Sequence, residues 1–259
     1  MPIELLVTVN ETYIPPLKTL LKSIYQNEKQ PVRVWLIHRD IAAKQLTALS
    51  QWITDLGMRF EVCQATPAVF GDAPITDQYP VETYFRLLSG QILPKTLHRV
   101  LYIDPDVLAQ GPLDALWQLD MNHQPFAAAA HQDRQQENRQ RMPINHAYYN
   151  TGVLLIDLDQ ARQVINFKDV AAYIATHDDL PLVDQDILNG LYGEQVTPID
   201  DKQWNFDVPS YDRYLEAGLT PDWISANTKL LHYQRQPKPW QTEYTGPLGN
   251  VYRYMQVNQ

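Results

Sequence analysis

The ten residues Arg99-Val-Leu-Tyr-Ile-Asp-Pro-Asp-Val-Leu108 restrict the fold more than any other stretch of the chain. A short apolar run that halts at two acids reads as a buried strand with a polar exit. In an extended segment residues i and i+2 project to the same side, so Asp104 and Asp106 can face one divalent cation. Pro105 biases Asp104 away from the helical region and removes a ladder N–H, so regular strand pairing is expected to stop there. The plainer alternative is a solvated turn.

The spacing alone proves little, because Asp-x-Asp occurs three times among the 21 aspartates. Asp157 and Asp159 follow the apolar run Gly152-Val-Leu-Leu-Ile156, and Asp159 reads as the N-cap of the next helix. Asp184 and Asp186 open the helix-like segment Asp184-Gln-Asp-Ile-Leu-Asn-Gly-Leu191, where residues two apart point to different faces. Only Asp104 and Asp106 combine the spacing with strand-end geometry.

A chain of 259 residues with 44% hydrophobic content can bury a sizeable core, and residues 1–259 are expected to form a single domain. The net charge of −9 argues against nucleic-acid binding, which needs a basic face. It also means that an anionic nucleotide would need local cations to offset the protein's own field. Neither a G-x-x-x-x-G-K-[ST] loop nor a G-x-G-x-x-G turn is present to supply backbone N–H groups instead. A metal held by acids, helped by a few Lys or Arg, is the remaining route. The start, Met1-Pro-Ile-Glu-Leu-Leu-Val-Thr-Val9, lacks a signal-peptide pattern, and the single cysteine, Cys63, reads as a small core residue. The expected compartment is cytoplasmic. Few basic residues follow Trp240, so membrane association is expected to be peripheral at most.

The first half alternates strand and helix signals, which implies a mostly parallel sheet covered on both faces. Strands are expected at Ile3 to Val9, Val32 to Ile37, Met58 to Cys63 and Arg99 to Ile103. Between them, Pro15 and Pro16 suit the first turn of a helix carrying Leu17, Leu20, Leu21 and Ile24, and Ala42 to Leu56 forms another. Thr83 to Ser89 is expected to be helical. The polar stretch from His131 to Arg141 reads as an exposed loop or helix between strands at Phe126 to Ala130 and Tyr148 to Ile156. The last 60 or so residues, rich in Tyr, Trp and Pro with weak periodicity, suggest loops packed on the sheet. Ligands of open α/β sheets bind beyond the carboxyl ends of strands, which makes Val9, Asn10, Asp104, Asp106 and Asp157 candidate neighbours.

Near the end, Leu230-Leu-His-Tyr-Gln-Arg-Gln-Pro-Lys-Pro-Trp240 delivers His232 from a strand-like run, with Arg235 and Lys238 in a Pro-braced turn. An imidazole with two carboxylates is a mixed N/O set that suits Mn²⁺ better than Ca²⁺, and the two bases can meet phosphate oxygens.

With these segments in view the chain resembles glycosyltransferase family 8, retaining galactosyl- and glucosyltransferases of GT-A fold. The matching segments, in order, are Thr8-Val-Asn-Glu-Thr-Tyr13, Thr83-Tyr-Phe-Arg-Leu87, Val100 to Leu108, Tyr149-Asn-Thr-Gly-Val-Leu-Leu-Ile156, Asp184-Gln-Asp-Ile-Leu-Asn189 and His232 to Trp240. The resemblance implies a Rossmann-like, mostly parallel central sheet with flanking helices and an irregular C-terminal region. It implies that Asp104, Asp106 and His232 bind Mn²⁺, or another divalent cation such as Mg²⁺, which bridges the diphosphate of a UDP-sugar that Lys238 also contacts. Thr8, Asn10 and Tyr13 would hold the uridine, with Tyr13 stacking on the uracil. Arg86, Asn150, Asp184 and Gln185 match positions that handle the donor sugar, and Asp184 and Gln185 are the expected catalytic residues. The implied donor is UDP-glucose or UDP-galactose, and the implied acceptor a glycan or glycolipid.

Two positions depart from the family pattern. Asn10 stands where an acid is usual, and Arg235 stands where glycine is usual, so its guanidinium is expected to replace a backbone N–H at the diphosphate. Since an amide is a poor nucleophile, a same-face attack is expected over a double displacement. A non-catalytic UDP-sugar or carbohydrate-binding protein is the rival reading, and a metal-dependent nucleotidyltransferase a weaker third.

Overall fold

A computed structural model describes residues 2–65, 81–131, 135–177 and 180–256. Residues 132–134 of the polar stretch fall outside this set. Ten strands are described, β1 (Ile3–Thr8), β2 (Val32–His38), β3 (Arg59–Gln64), β4 (Arg99–Ile103), β5 (Val107–Ala109), β6 (Phe126–Ala129), β7 (Val153–Asp157), β8 (Val196–Ile199), β9 (Phe206–Asp207) and β10 (Leu230–His232). Seven form the central sheet in the order β3-β2-β1-β4-β7-β6-β8, and three form a small sheet in the order β5-β10-β9.

The central sheet is parallel except for β7, which runs against both β4 and β6. Its inner strands are predominantly apolar and buried on both faces, as a covered sheet requires. Along β4 the period of two sends Val100 and Tyr102 to one core cluster and Leu101 and Ile103 to the other. The helix Ile14–Asn27 covers the second face with Leu17, Leu20, Leu21 and Ile24, and Pro15 and Pro16 sit in its first turn as expected. Full burial of each of these side chains is worth about 2 kcal/mol.

Several expectations change. Because β7 is antiparallel, Asp157 pairs with Arg99 at the entry of β4, so it lies at the opposite end of the sheet from Asp104. The helix Leu158–Val164 is capped by Asp157, whose side chain accepts from the Asp159 and Gln160 N–H groups, and Asp159 is already inside the first turn. The strand expected from Tyr148 begins only at Val153. The helical expectation for Thr83 to Ser89 resolves into a 3-10 segment, Val81–Arg86, and a one-turn helix, Ser89–Ile92. The C-terminal region is irregular but carries its own core, in which Phe206, Val208, Ile224, Leu231, Tyr233 and Tyr252 pack on Leu108. Among the described residues no helix is long and apolar enough to cross a membrane.

Candidate active site

The two acids converge through a turn rather than along a strand. The Asp104 N–H still donates to the Gly152 carbonyl, and the chain then folds back so that the Val107 N–H donates to the Asp104 carbonyl. Asp104 and Pro105 occupy the first two positions of this β-turn, which both residue types favour. β5 leaves the turn and pairs with β10 in a register that sets His232 opposite Val107, and the Tyr233 N–H extends the ladder to the Asp106 carbonyl. The small sheet is therefore what brings a histidine from the far end of the sequence beside the two acids.

Asp104, Asp106 and His232 each offer one ligand atom, all within 4.8 Å of one another. His232 Nε2 lies 3.3 Å from Asp106 Oδ1 and 3.9 Å from Asp104 Oδ2. The second oxygen of each carboxylate is engaged by the protein. Asp104 Oδ1 accepts from the Tyr102 hydroxyl at 2.5 Å and from Arg86 Nη1 at 3.0 Å, while Asp106 Oδ2 accepts from Lys238 Nζ at 2.5 Å. Asp106 Oδ1 is buried and has no hydrogen-bond partner among the described residues. Acceptor atoms gathered this closely are reconciled only by a proton or a metal cation, so the donor set fits a divalent ion. Burial would raise the Asp106 carboxyl, but Lys238 and His232 outweigh it and hold it below the usual carboxylate range.

Gly152 is required by this packing. A Cβ at that position would lie 2.2 Å from His232 Cε1 and 2.9 Å from Asp104 Oδ2, closer than non-bonded atoms approach. A hydrogen is the largest group that fits there.

One cleft is lined by Thr8, Asn10, Tyr13, Arg86, Asp104, Asp106, Asn150, Asp184, Gln185, His232 and Lys238, so all but one of the residues that the family resemblance assigns to the site converge. Asn10 uses its side-chain oxygen to cap the short 3-10 turn Glu11–Tyr13. Tyr13 meets Trp240 edge to face with ring centroids 6.0 Å apart, and burial, with Asp106 and Asp104 adding, pushes its phenol up to about 12. Arg86 bridges the two acidic segments, holding Asp104 by Nη1 and Asp184 by Nε at 3.2 Å, with its guanidinium 4.3 Å from the centre of the Tyr102 ring. Burial, the largest influence, together with the nearby Asp104 pushes the Asp184 carboxyl up to about 6 even though Arg86 opposes them.

The exception is Arg235, which does not line the cleft. Its guanidinium turns to Asp207 Oδ2 at 3.6 Å and Ser210 Oγ at 3.3 Å. Asp207 is completely buried and draws the cation away from the turn.

The sequence reading missed several neighbours. Tyr102 stands two residues before Asp104 on the same face of β4, and the period of two could have exposed it. Asn205 bonds His232 Nδ1 at 2.8 Å and Asn150 Oδ1 at 2.8 Å, and Gln234 accepts from Asn150 Nδ2 at 3.1 Å; no local pattern marks either residue.

The profile of Glycosyl transferase family 8 matches residues 4–243. Among curated proteins, glycosyltransferase GlyF of Streptococcus pneumoniae serotype 4 is 25% identical over 92% of this chain. The match spans 57% of GlyF's own length. A lipopolysaccharide 1,2-glucosyltransferase of Escherichia coli is 26% identical over 90% of this chain and 71% of its own. Among solved structures, the galactosyltransferase LgtC, crystallised with donor and acceptor sugar analogues, superposes with a TM-score of 0.85. That superposition covers 98% of this chain and 95% of LgtC at 24% identity, and it shows a shared fold.

Proposed function

Since the chain belongs to glycosyl transferase family 8, we propose that it moves glucose or galactose from a UDP-sugar to a hydroxyl of a glycan or glycolipid. Membership of the family makes it a glycosyltransferase. Mn²⁺, or another divalent ion such as Mg²⁺, is the proposed cofactor, held by Asp104, Asp106 and His232. The observation that carries the reading is their convergence in one cleft with Lys238, Arg86, Asp184 and Gln185. A bound divalent ion supplies Lewis-acid stabilisation of the negative charge on a departing diphosphate.

The protein's own groups have distinct roles. Lys238, buried with its ammonium on Asp106, gives the diphosphate a second positive charge. Tyr13, braced by Trp240, offers a ring face to the uracil, with Thr8 and Asn10 beside it. Gln185 Oε1 accepts from Asn150 Nδ2 and from the Thr151 N–H. This turns its amino group toward the Tyr148 hydroxyl, with one N–H to spare as a donor for the sugar. Arg86 fixes Asp104 and Asp184 relative to one another. A carboxylate already held by Arg86 is not free to attack, which favours same-face attack, in which the leaving phosphate takes the acceptor's proton. The unpaired Cys63 suits the cytoplasm as the site of action, and membrane contact is proposed to be peripheral.

UDP release from a panel of UDP-sugars, with and without Mn²⁺, tests the proposal. The expected result is Mn²⁺-dependent release from UDP-glucose or UDP-galactose. Binding without release would favour a non-catalytic sugar-binding protein and sink the enzymatic reading.

A further inference from the structure

A chain of buried carboxamides joins His232 at one side of the cleft to Gln185 at the other, and one backbone group fixes its polarity. The Gly152 N–H donates to Asn150 Oδ1 at 2.8 Å, so that end of the amide is the acceptor. Asn205 reaches the same oxygen at 2.8 Å and must present Nδ2 to it. Asn205 Oδ1 is thereby turned to His232 Nδ1, 2.8 Å away, and that ring nitrogen must carry a proton. His232 Nε2 is the atom left facing Asp104 and Asp106. In the other direction Asn150 Nδ2 donates to Gln185 Oε1 at 2.9 Å and to Gln234 Oε1 at 3.1 Å.

The side chain of Asn150 has two N–H donors and two lone pairs, and these four bonds use all of them. It therefore acts on substrate through Gln185 and Gln234. Asn205 is completely buried, its carbonyl accepts from His131 Nε2 at 2.8 Å, and it stands immediately before β9, whose pairing with β10 sets Asp207 beside His232. Its position is fixed by the small sheet as firmly as that of the histidine it touches.

We infer that Asn205 is a positioning residue with two outputs, the ring orientation and Nδ1-protonated form of His232 and, through Asn150, the presentation of the Gln185 amide. The inference rests on the reading of Asp104, Asp106 and His232 as metal ligands. Only a carboxamide serves both outputs, because it carries an acceptor and a donor on one planar group. A carboxylate at residue 205 keeps the acceptor for His232 but sets two oxygens against each other at Asn150.

That difference gives the test. Mn²⁺ affinity is measured by electron paramagnetic resonance on protein without nucleotide, and kcat and KM by UDP release from whichever UDP-sugar the panel identifies. Asn205→Leu is expected to lose about tenfold or more in Mn²⁺ affinity, the usual consequence of removing the partner of a ligating histidine. Asn205→Asp is expected to bind Mn²⁺ within about threefold of the original protein or more tightly, yet to lose about tenfold in kcat. Asn150→Asp, which leaves Asn205 in place, should lower kcat with Mn²⁺ affinity unchanged, and it serves if a residue 205 variant fails to fold by circular dichroism. Full Mn²⁺ affinity in Asn205→Leu, or full kcat in both Asp variants, overturns the inference alone. Failure of the unaltered protein to bind Mn²⁺ overturns the metal reading and this inference with it.

Discussion

Asp104 and Asp106 are separated by one residue, as are Asp184 and Asp186, yet the first pair converges and the second parts. At the end of β4 a proline-bearing turn folds both carboxylates toward His232. In the helix Asp184–Ile187 the same spacing throws them to opposite sides. Asp184 goes to Arg86 in the cleft, and Asp186 goes to Arg141 at 2.6 Å and the Tyr148 hydroxyl at 2.5 Å, fastening the helix Gln135–Arg141 to its own. Asp186 is completely buried and its other oxygen accepts from the Leu182 N–H. Spacing counts the atoms between two acids; the backbone decides whether they share a ligand or divide the work of holding the fold.

Exchanging one acid of each pair for its amide is the severest way to break the comparison. Asp106→Asn should weaken Mn²⁺ binding by about 100-fold, the upper end of losses seen for groups around a metal, and UDP release should fall with it. Asp186→Asn should leave Mn²⁺ affinity alone and instead lower the unfolding free energy by about 3 kcal/mol, because Arg141 loses the carboxylate that balances it. Urea unfolding and Mn²⁺ titration of both variants give the answer, and equal metal losses in the two would abolish the distinction.

A second measurement concerns Asp184 alone. Its carboxyl titrates at about 6 in the folded protein against 3.8 ordinarily, so the folded state holds the proton more tightly and stability is lost as pH climbs through that interval. Asp184→Asn lacks this titration. Between pH 4 and pH 7, without metal, its stability relative to the original should improve by about 2 to 3 kcal/mol. A flat difference would mean that the carboxyl is not shifted. The smallest effect belongs to the remaining Asp-x-Asp. Asp157→Ala should cost about 1 kcal/mol through the lost helix cap, with Mn²⁺ binding and UDP release untouched.

How much of this was legible in the sequence depended on how local the cause was. The acids at the end of β4 and the basic turn around Lys238 could be read because strand, proline and charge lie within a few residues of each other. The four parallel strands β1 to β4 followed from the alternation of apolar runs with amphipathic helices. The direction of β7 could not be read, since an apolar run looks the same either way along the sheet, and Asp157 was accordingly expected at the wrong end. Arg235 was expected at the diphosphate because it stands where the family usually has glycine, but its guanidinium turns to Asp207, whose buried charge comes from a different strand. Asn205 is the clearest case of a residue hidden from sequence. It lies between Trp204 and Phe206, both buried, and its significance exists only once β9 stands beside β10.

β10 is the central member of the small sheet, wedged between a strand that directly follows Asp106 and one that directly follows Asn205. A polypeptide still emerging from the ribosome, or one clipped ahead of residue 230, can own both acids of the turn and every apolar layer of the first four strands while lacking the imidazole. If Asp104, Asp106 and His232 hold a cation as proposed, its site is assembled only once β10 has joined the small sheet, and a copy lacking that strand would grip the ion by two carboxylates alone.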